Sequence, residues 1–210
     1  MKRSTLILLK TLVWLACLWP IAWLAWGAIR SSSDPNALGP NPTSTIAFTT
    51  GFATLRLLVI TLAISPLRRI WPRLGWLVRF RRLLGLFAFF YASVHMLTYV
   101  ALYSAFNFSN MLGDVEKRHF ITAGAAAYLL LIPLAATSTR WAIRKLGGRR
   151  WNRLHMLIYP AAILGVIHFW WQLKPGVLTP LRITIVLAVL LAARPALAWR
   201  QRRKARAVTV

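Results

Sequence analysis

Four side chains able to ligate a metal or carry charge fall inside long apolar stretches: Arg56, His95, His155 and His168. Such a group is costly to place in an apolar medium and is a functional candidate for that reason. The one cysteine, Cys17, excludes an internal disulfide, a Cys-ligated zinc site, an iron–sulfur cluster and a c-type heme attachment motif. With only 3 Asp and Glu in 210 residues, hydrolysis by paired carboxylates is excluded as well. What remains is imidazole chemistry. A neutral imidazole nitrogen ligates iron, and two imidazoles at one level of a helix bundle form the usual cradle of a b-type heme. His119, beside Lys117-Arg118, reads as an interfacial residue.

Depth follows from the helical rise of 1.5 Å per residue. His95 stands 13 residues beyond Arg82, roughly 20 Å up its stretch. His168 stands 15 residues beyond Arg153, roughly 22 Å up its own. The pair is therefore expected at one level in the outer half of the bilayer, holding one heme. Ala92 and Ser93 before His95, and Ala161, Ala162 and Gly165 before His168, leave a flat macrocycle room to approach. The alternative, that each histidine only hydrogen-bonds a neighbouring helix, stays open. His155, two residues past Arg153, is close to the inner face and is a candidate ligand for a second heme. A straight helix turns it off the face of His168, and Pro160 between them is expected to bend that stretch. The third stretch has Arg81 and Arg82 at the inner level, not a histidine, so a second heme needs a different partner ligand. Arg56, mid-span, suits a heme propionate or a flavin phosphate, or else a polar contact with a neighbouring helix.

The elements that must position these residues are long helices. Hydrophobic residues make up 58% of the chain and charged ones 14%, against about 25% charged in a soluble domain. A bilayer core needs roughly 20 apolar residues per helix, and six stretches qualify: 8–29, 45–65, 83–106, 120–137, 151–173 and 177–199. None shows the strict alternation of a barrel strand, and no internal repeat is evident. Turn chemistry such as Ser31-Ser32-Ser33-Asp34-Pro35-Asn36 and Lys174-Pro175-Gly176 separates the stretches. The net charge of +24 suits a nucleic-acid binder or a membrane protein. Its distribution decides: 21 of the 27 Lys and Arg fall on one side of the six spans and 5 on the other, with Arg56 between. Lys- and Arg-rich short loops stay cytoplasmic. The expectation is an all-α membrane protein, a six-transmembrane-helix bundle in one domain (residues 1–210) with both termini cytoplasmic and no nucleic-acid partner. The three acidic residues all fall outside. Lys2-Arg3 and the apolar run after it imitate a signal peptide, but the run is long, so the first span is expected to stay as an anchor. Trp-rich edges such as Trp19, Trp23, Trp26, Trp170 and Trp171 read as an aromatic belt.

A further pattern emerges from particular runs. Arg81-Arg82-Leu83-Leu84-Gly85-Leu86 with His95, the Thr137-Ser138-Thr139 end of the fourth span, and Leu146-Gly147 followed by Trp151-Asn152-Arg153-Leu154-His155, Tyr159 and His168 resemble the ferric-reductase-like transmembrane family. Within it they resemble the heme-binding membrane subunits of bacterial periplasmic methionine-sulfoxide reductase systems. Thr50-Gly51, Arg56 and Ser65-Pro66 also fit, with Ser65 where threonine is expected. The resemblance covers essentially all six spans. It implies an inner-membrane heme-b electron carrier, associated with FMN, whose iron ligands are His95, His155 and His168. Electrons come from the respiratory quinone pool or a cytosolic flavin reductase and pass to a periplasmic molybdenum-containing subunit that reduces methionine sulfoxide in oxidised proteins. The chain is then an electron-transfer subunit rather than the catalytic one. It departs from the wider family in lacking the inner histidine of the third span. No Gly-rich phosphate loop follows the sixth span, so electrons are expected from a separate donor. The rival readings are a stand-alone ferric-reductase-type cytochrome b and a cofactor-free transporter or assembly factor.

Overall fold

A computed structural model describes residues 3–172 and 178–208, with side chains as far as residue 200. The span ends expected at Leu173 and Val177, the turn Lys174-Pro175-Gly176 and Lys2 lie outside the described residues. All the regular elements among the described residues are helical, with no strand. In chain order they form α1 (Arg3–Arg30), α2 (Pro42–Ile70), a 3₁₀ segment (Pro72–Phe80), α3 (Arg81–Thr98), a π turn (Tyr99–Tyr103), α4 (Phe108–Lys117), α5 (His119–Ala136), α6 (Arg140–Leu146), α7 (Gly148–His155), α8 (Ile158–Gln172) and α9 (Thr179–Val208). Six segments are long and apolar enough to cross a membrane: Arg3–Arg30, Pro42–Ile70, Pro72–Tyr103, His119–Ala136, Gly148–Gln172 and Thr179–Arg200.

Burial divides them into core and periphery. Only 6% of the most apolar stretch of α1, and of α9, is buried, against 44% for α2. The centre is α2 packed on α3 and α5 packed on α8. Ala88 and Ala161 are fully buried there, where small side chains let membrane helices approach closely. Exposed Leu8, Leu15, Trp19, Trp26 and Ile29 on α1 form a lipid-facing surface.

Prolines shape the spans by removing backbone donors. Pro160 cannot donate to Met156, whose carbonyl is taken by Tyr159 N at 3.1 Å instead, and the fifth span breaks between α7 and α8. Pro66 likewise leaves the Leu62 carbonyl without its helical donor. Arg194 of α9 fills that gap: its Nη2 donates to Leu62 O at 2.7 Å and its Nη1 to Tyr159 Oη at 2.6 Å, tying α9 to α2 and α8. In α1, Pro20 interrupts the ladder beside the fully buried Tyr91. The Tyr91 hydroxyl enters the opening, donating to Cys17 O at 2.6 Å and accepting from Ile21 N at 3.3 Å. Tyr91→Phe removes the hydroxyl that bridges these two groups and ties α3 to α1, leaving them only each other as helical partners. It is expected to cost about 0.5–1.5 kcal/mol, seen as an earlier melting transition in detergent with helical content unchanged.

A candidate cofactor site between two helix pairs

The two central pairs build one site by the same means twice. His95, on α3, directs Nδ1 at Ala47 O of α2, 2.9 Å away, and His168, on α8, directs Nδ1 at Phe120 O of α5, 2.7 Å away. In both cases the partners are 48 residues apart in the chain. A carbonyl only accepts, so each Nδ1 carries the hydrogen and each Nε2 keeps its lone pair. That is the tautomer and orientation in which a histidine ligates a metal through Nε2. One helical turn beyond each carbonyl stands a glycine, Gly51 and Gly124. A Cβ at Gly51 would meet the His95 ring at 3.0 Å, and one at Gly124 the His168 ring at 2.8 Å. Each imidazole is seated against bare backbone.

The two rings have centroids 5.8 Å apart, with planes 79° to each other. A metal–imidazole bond of about 2 Å on either side places such ring centres about 6 Å apart. Among the described residues, no cluster of three or more His, Cys, Asp or Glu could hold a metal ion. Two imidazoles alone do not complete a tetrahedral site. They do complete the coordination of an iron whose four equatorial nitrogens come from a porphyrin. The rings open on a cavity of about 1090 Å³, at the upper end of ligand-pocket sizes. Its inner part is apolar, with Leu58, Ala127, Leu131 and Ala161, and Phe48, Phe52 and Phe169 form an aromatic cluster at its side. The donors and the space both fit an iron porphyrin.

A repeat that was not evident in the sequence becomes visible here. Every α2 residue lining the cavity has a counterpart 73 positions later in α5 that also lines it, Gly51 with Gly124 among them. Ala92, His95, Met96 and Tyr99 correspond in the same way to Gly165, His168, Phe169 and Gln172. Two helical hairpins are thus related about an axis along the membrane normal, the arrangement of a parallel repeat. The sequence trace is thin: Thr-X-Gly-X-Ala at Thr49–Ala53 and again at Thr122–Ala126.

His155 stands apart from the pair. Its ring stacks on Trp151 with centroids 3.9 Å apart, and its Nε2 lies 3.1 Å from Thr137 Oγ1. That hydroxyl donates to Pro133 O at 2.6 Å, so His155 Nε2 is the donor to it and the lone pair lies on Nδ1. The tautomer is opposite to that of the pair. The repeat counterpart of His155 is Arg82, so the inner level offers no matching imidazole. Arg56 is exposed on α2, its guanidinium 4.0 Å from the centre of the Phe52 ring, and is not among the described residues lining the cavity. His119 begins α5 at the outer edge, with its ring 6.3 Å from that of Trp171. The residues the sequence reading missed are Gly124, the carbonyls of Ala47 and Phe120, and the polar outer wall of the cavity.

Comparison with known proteins gives a consistent picture. The family described as "Ferric reductase like transmembrane component" matches residues 50–166. A protein of Xanthomonas oryzae pv. oryzae named "Protein-methionine-sulfoxide reductase heme-binding subunit MsrQ" is 47% identical over 204 residues, 95% of this chain and 90% of that protein. Proteins of the same name from Xanthomonas axonopodis pv. citri and Herminiimonas arsenicoxydans are 48% and 44% identical, over 92% and 95% of this chain and 88% and 89% of theirs. No solved structure matches the chain.

Proposed function

This chain belongs to the MsrQ family of ferric-reductase-like transmembrane proteins, and from that membership we propose that it is a heme-b subunit carrying electrons across the bacterial inner membrane. The observation that carries the reading is the His95–His168 pair, its ring centres 5.8 Å apart across the cavity and both Nε2 lone pairs free. His95 and His168 would hold one heme through their Nε2 atoms, and the bound heme would supply a one-electron carrier. The chain's own residues do the rest. Ala47 O and Phe120 O hold the two tautomers, Gly51 and Gly124 set ring depth, and the Phe48, Phe52 and Phe169 cluster keeps water and lipid from the iron level. Arg56 rests over the Phe52 ring, is not among the described residues lining the cavity, and is given no part in holding the heme.

Both termini are cytoplasmic by the distribution of Lys and Arg, which puts the histidine pair in the outer half of the membrane. Electrons enter from the quinone pool or a cytosolic flavin reductase, with FMN associated at the basic inner side. They leave to a periplasmic molybdenum-containing methionine-sulfoxide reductase that repairs oxidised proteins. His155 belongs to the inner side of that route; a second heme there needs a ligand other than histidine opposite it. The protein is an electron-transfer subunit, and catalysis belongs to its partner.

Heme and flavin quantification per polypeptide after heme-replete expression, followed by reduction with a quinol analogue, tests the reading. The expected result is a reducible b-type spectrum with one bis-imidazole heme per chain. Absence of a Soret band leaves only the cofactor-free transporter or assembly factor, and reduction of ferric chelates without a partner favours the stand-alone reductase.

A further inference from the structure

The repeat that builds the site is broken at its outer end. Tyr99, the counterpart of Gln172, opens the π turn Tyr99–Tyr103, an element often found at functional sites. Ala105 and Phe106 follow with φ of 47° and 58°, a strained conformation for residues with a Cβ. The chain then folds α4 across the cavity mouth. Phe108 and Leu112 of α4 are exposed, while Met111, Asp114 and the partly exposed Val115 line the cavity.

This added segment brings the charges. Apart from the two histidines, the charged groups lining the cavity among the described residues are Asp114, Lys117 and Arg118, all at this end. Asp114 is already satisfied: Oδ1 lies 3.2 Å from Arg118 Nε, and Oδ2 accepts from Tyr99 Oη at 3.0 Å. Lys117 makes no ion pair among the described residues. Ser104 Oγ is buried beside the Tyr99 phenol without a well-formed hydrogen bond. One end of the cavity thus holds a net positive charge and spare donors, and the other end is apolar. A flat apolar ligand with one dianionic edge fits in a single sense.

We infer that the carboxylates of the heme point outward to Lys117 and Arg118, and that Asp114, braced by Tyr99, is the residue positioning Arg118. The inference rests on the heme reading above. It also sets the anionic edge away from Arg56, which lies five residues (about 7.5 Å) inward of Gly51 along α2.

The test is reconstitution of the purified apoprotein with heme and with its dimethyl ester, paired with redox titration of the holoprotein. Lys117→Gln/Arg118→Gln is expected to weaken heme binding about tenfold or more, since charge-assisted hydrogen bonds are lost, and to leave ester binding unchanged. The same variant should lower the reduction equilibrium constant about tenfold, or 59 mV for one electron, because the reduced heme is the more electron-rich form. Asp114→Asn, which removes a negative charge, should shift it the other way, a sign that loosening of the fold does not produce. Arg56→Gln should change neither quantity. Where the double variant fails to fold, Lys117→Gln alone should move both readouts in the same directions. Loss of heme affinity with Arg56→Gln and not with Lys117→Gln/Arg118→Gln overturns the inference and turns the edge inward. Failure of the wild-type protein to bind heme at all sinks the underlying reading instead.

Discussion

Replacing either His95 or His168 by alanine is expected to abolish the low-spin heme spectrum entirely. In the proposed reading each ring supplies one nitrogen to the iron, and among the described residues no other histidine lines the cavity. His155 has its Nε2 committed to Thr137, and Arg56 is not among the described residues lining the cavity. The effect should therefore be complete in each single variant rather than shared between them. The hydrogen-bonding alternative predicts otherwise: a histidine that only bridges helices would cost stability on removal and leave any spectrum intact. Exogenous imidazole offers a second readout, because the alanine variant leaves a ring-sized gap against Gly51 or Gly124, and added imidazole should restore part of the low-spin signal. His155→Ala should keep the bis-imidazole spectrum and remove only heme in excess of one per chain. Unchanged spectra in both His95→Ala and His168→Ala would refute the pairing.

Why the level of this pair was readable in advance, while its fittings were not, is a matter of what a helix encodes. Depth along a span follows from counting at 1.5 Å per residue from a basic anchor, and the counts from Arg82 and Arg153 put both rings at one level, where their centres stand 5.8 Å apart. Azimuth does not follow. Spans that are apolar all round show no polar face to orient them, so the sequence left Arg56 open between an anion and a polar contact with a neighbouring helix, and its position exposed over Phe52 was not readable. The carbonyls of Ala47 and Phe120 are invisible in any sequence, since every residue has one. Their use is marked only by the glycine a turn later, and Gly124 looks like any small residue in an alanine-rich helix until His168 is seen against it. The third span was expected to run on to Phe106; the π turn and the positive φ values end it sooner and start α4, whose ten residues are too few and too polar to register as a span. The bend at Pro160 was foreseeable because proline lacks a donor. The link from Pro66 through Leu62 O to Arg194 was not, because it joins residues 132 apart in the chain.

Gly124→Ala carries the second large expectation, and its sign runs against helix propensity. Inside a helix, alanine is favoured over glycine by about 1 kcal/mol, so α5 by itself should tolerate or welcome the change. The added Cβ, however, would stand 2.8 Å from His168 Nδ1 and 3.0 Å from Cε1. The ring has little freedom to retreat, because that same Nδ1 is held 2.7 Å from Phe120 O on the same helix. Relief requires tilting His168 away from α5, which breaks the bond fixing its tautomer and swings Nε2 off the line to His95. The expected outcome is an apoprotein that melts no earlier than the wild type yet retains much less heme, with the remainder shifted out of the low-spin form. Gly51→Ala, with contacts of 3.0 and 3.1 Å to His95, should show the same defect in milder form, and Gly124→Val a stronger one. Heme content per polypeptide and the visible spectrum, read beside the melting temperature of the apoprotein, separate a displaced ligand from a damaged fold. Wild-type heme content and spectrum in Gly124→Ala would mean that the His168 ring is not held where the iron needs it.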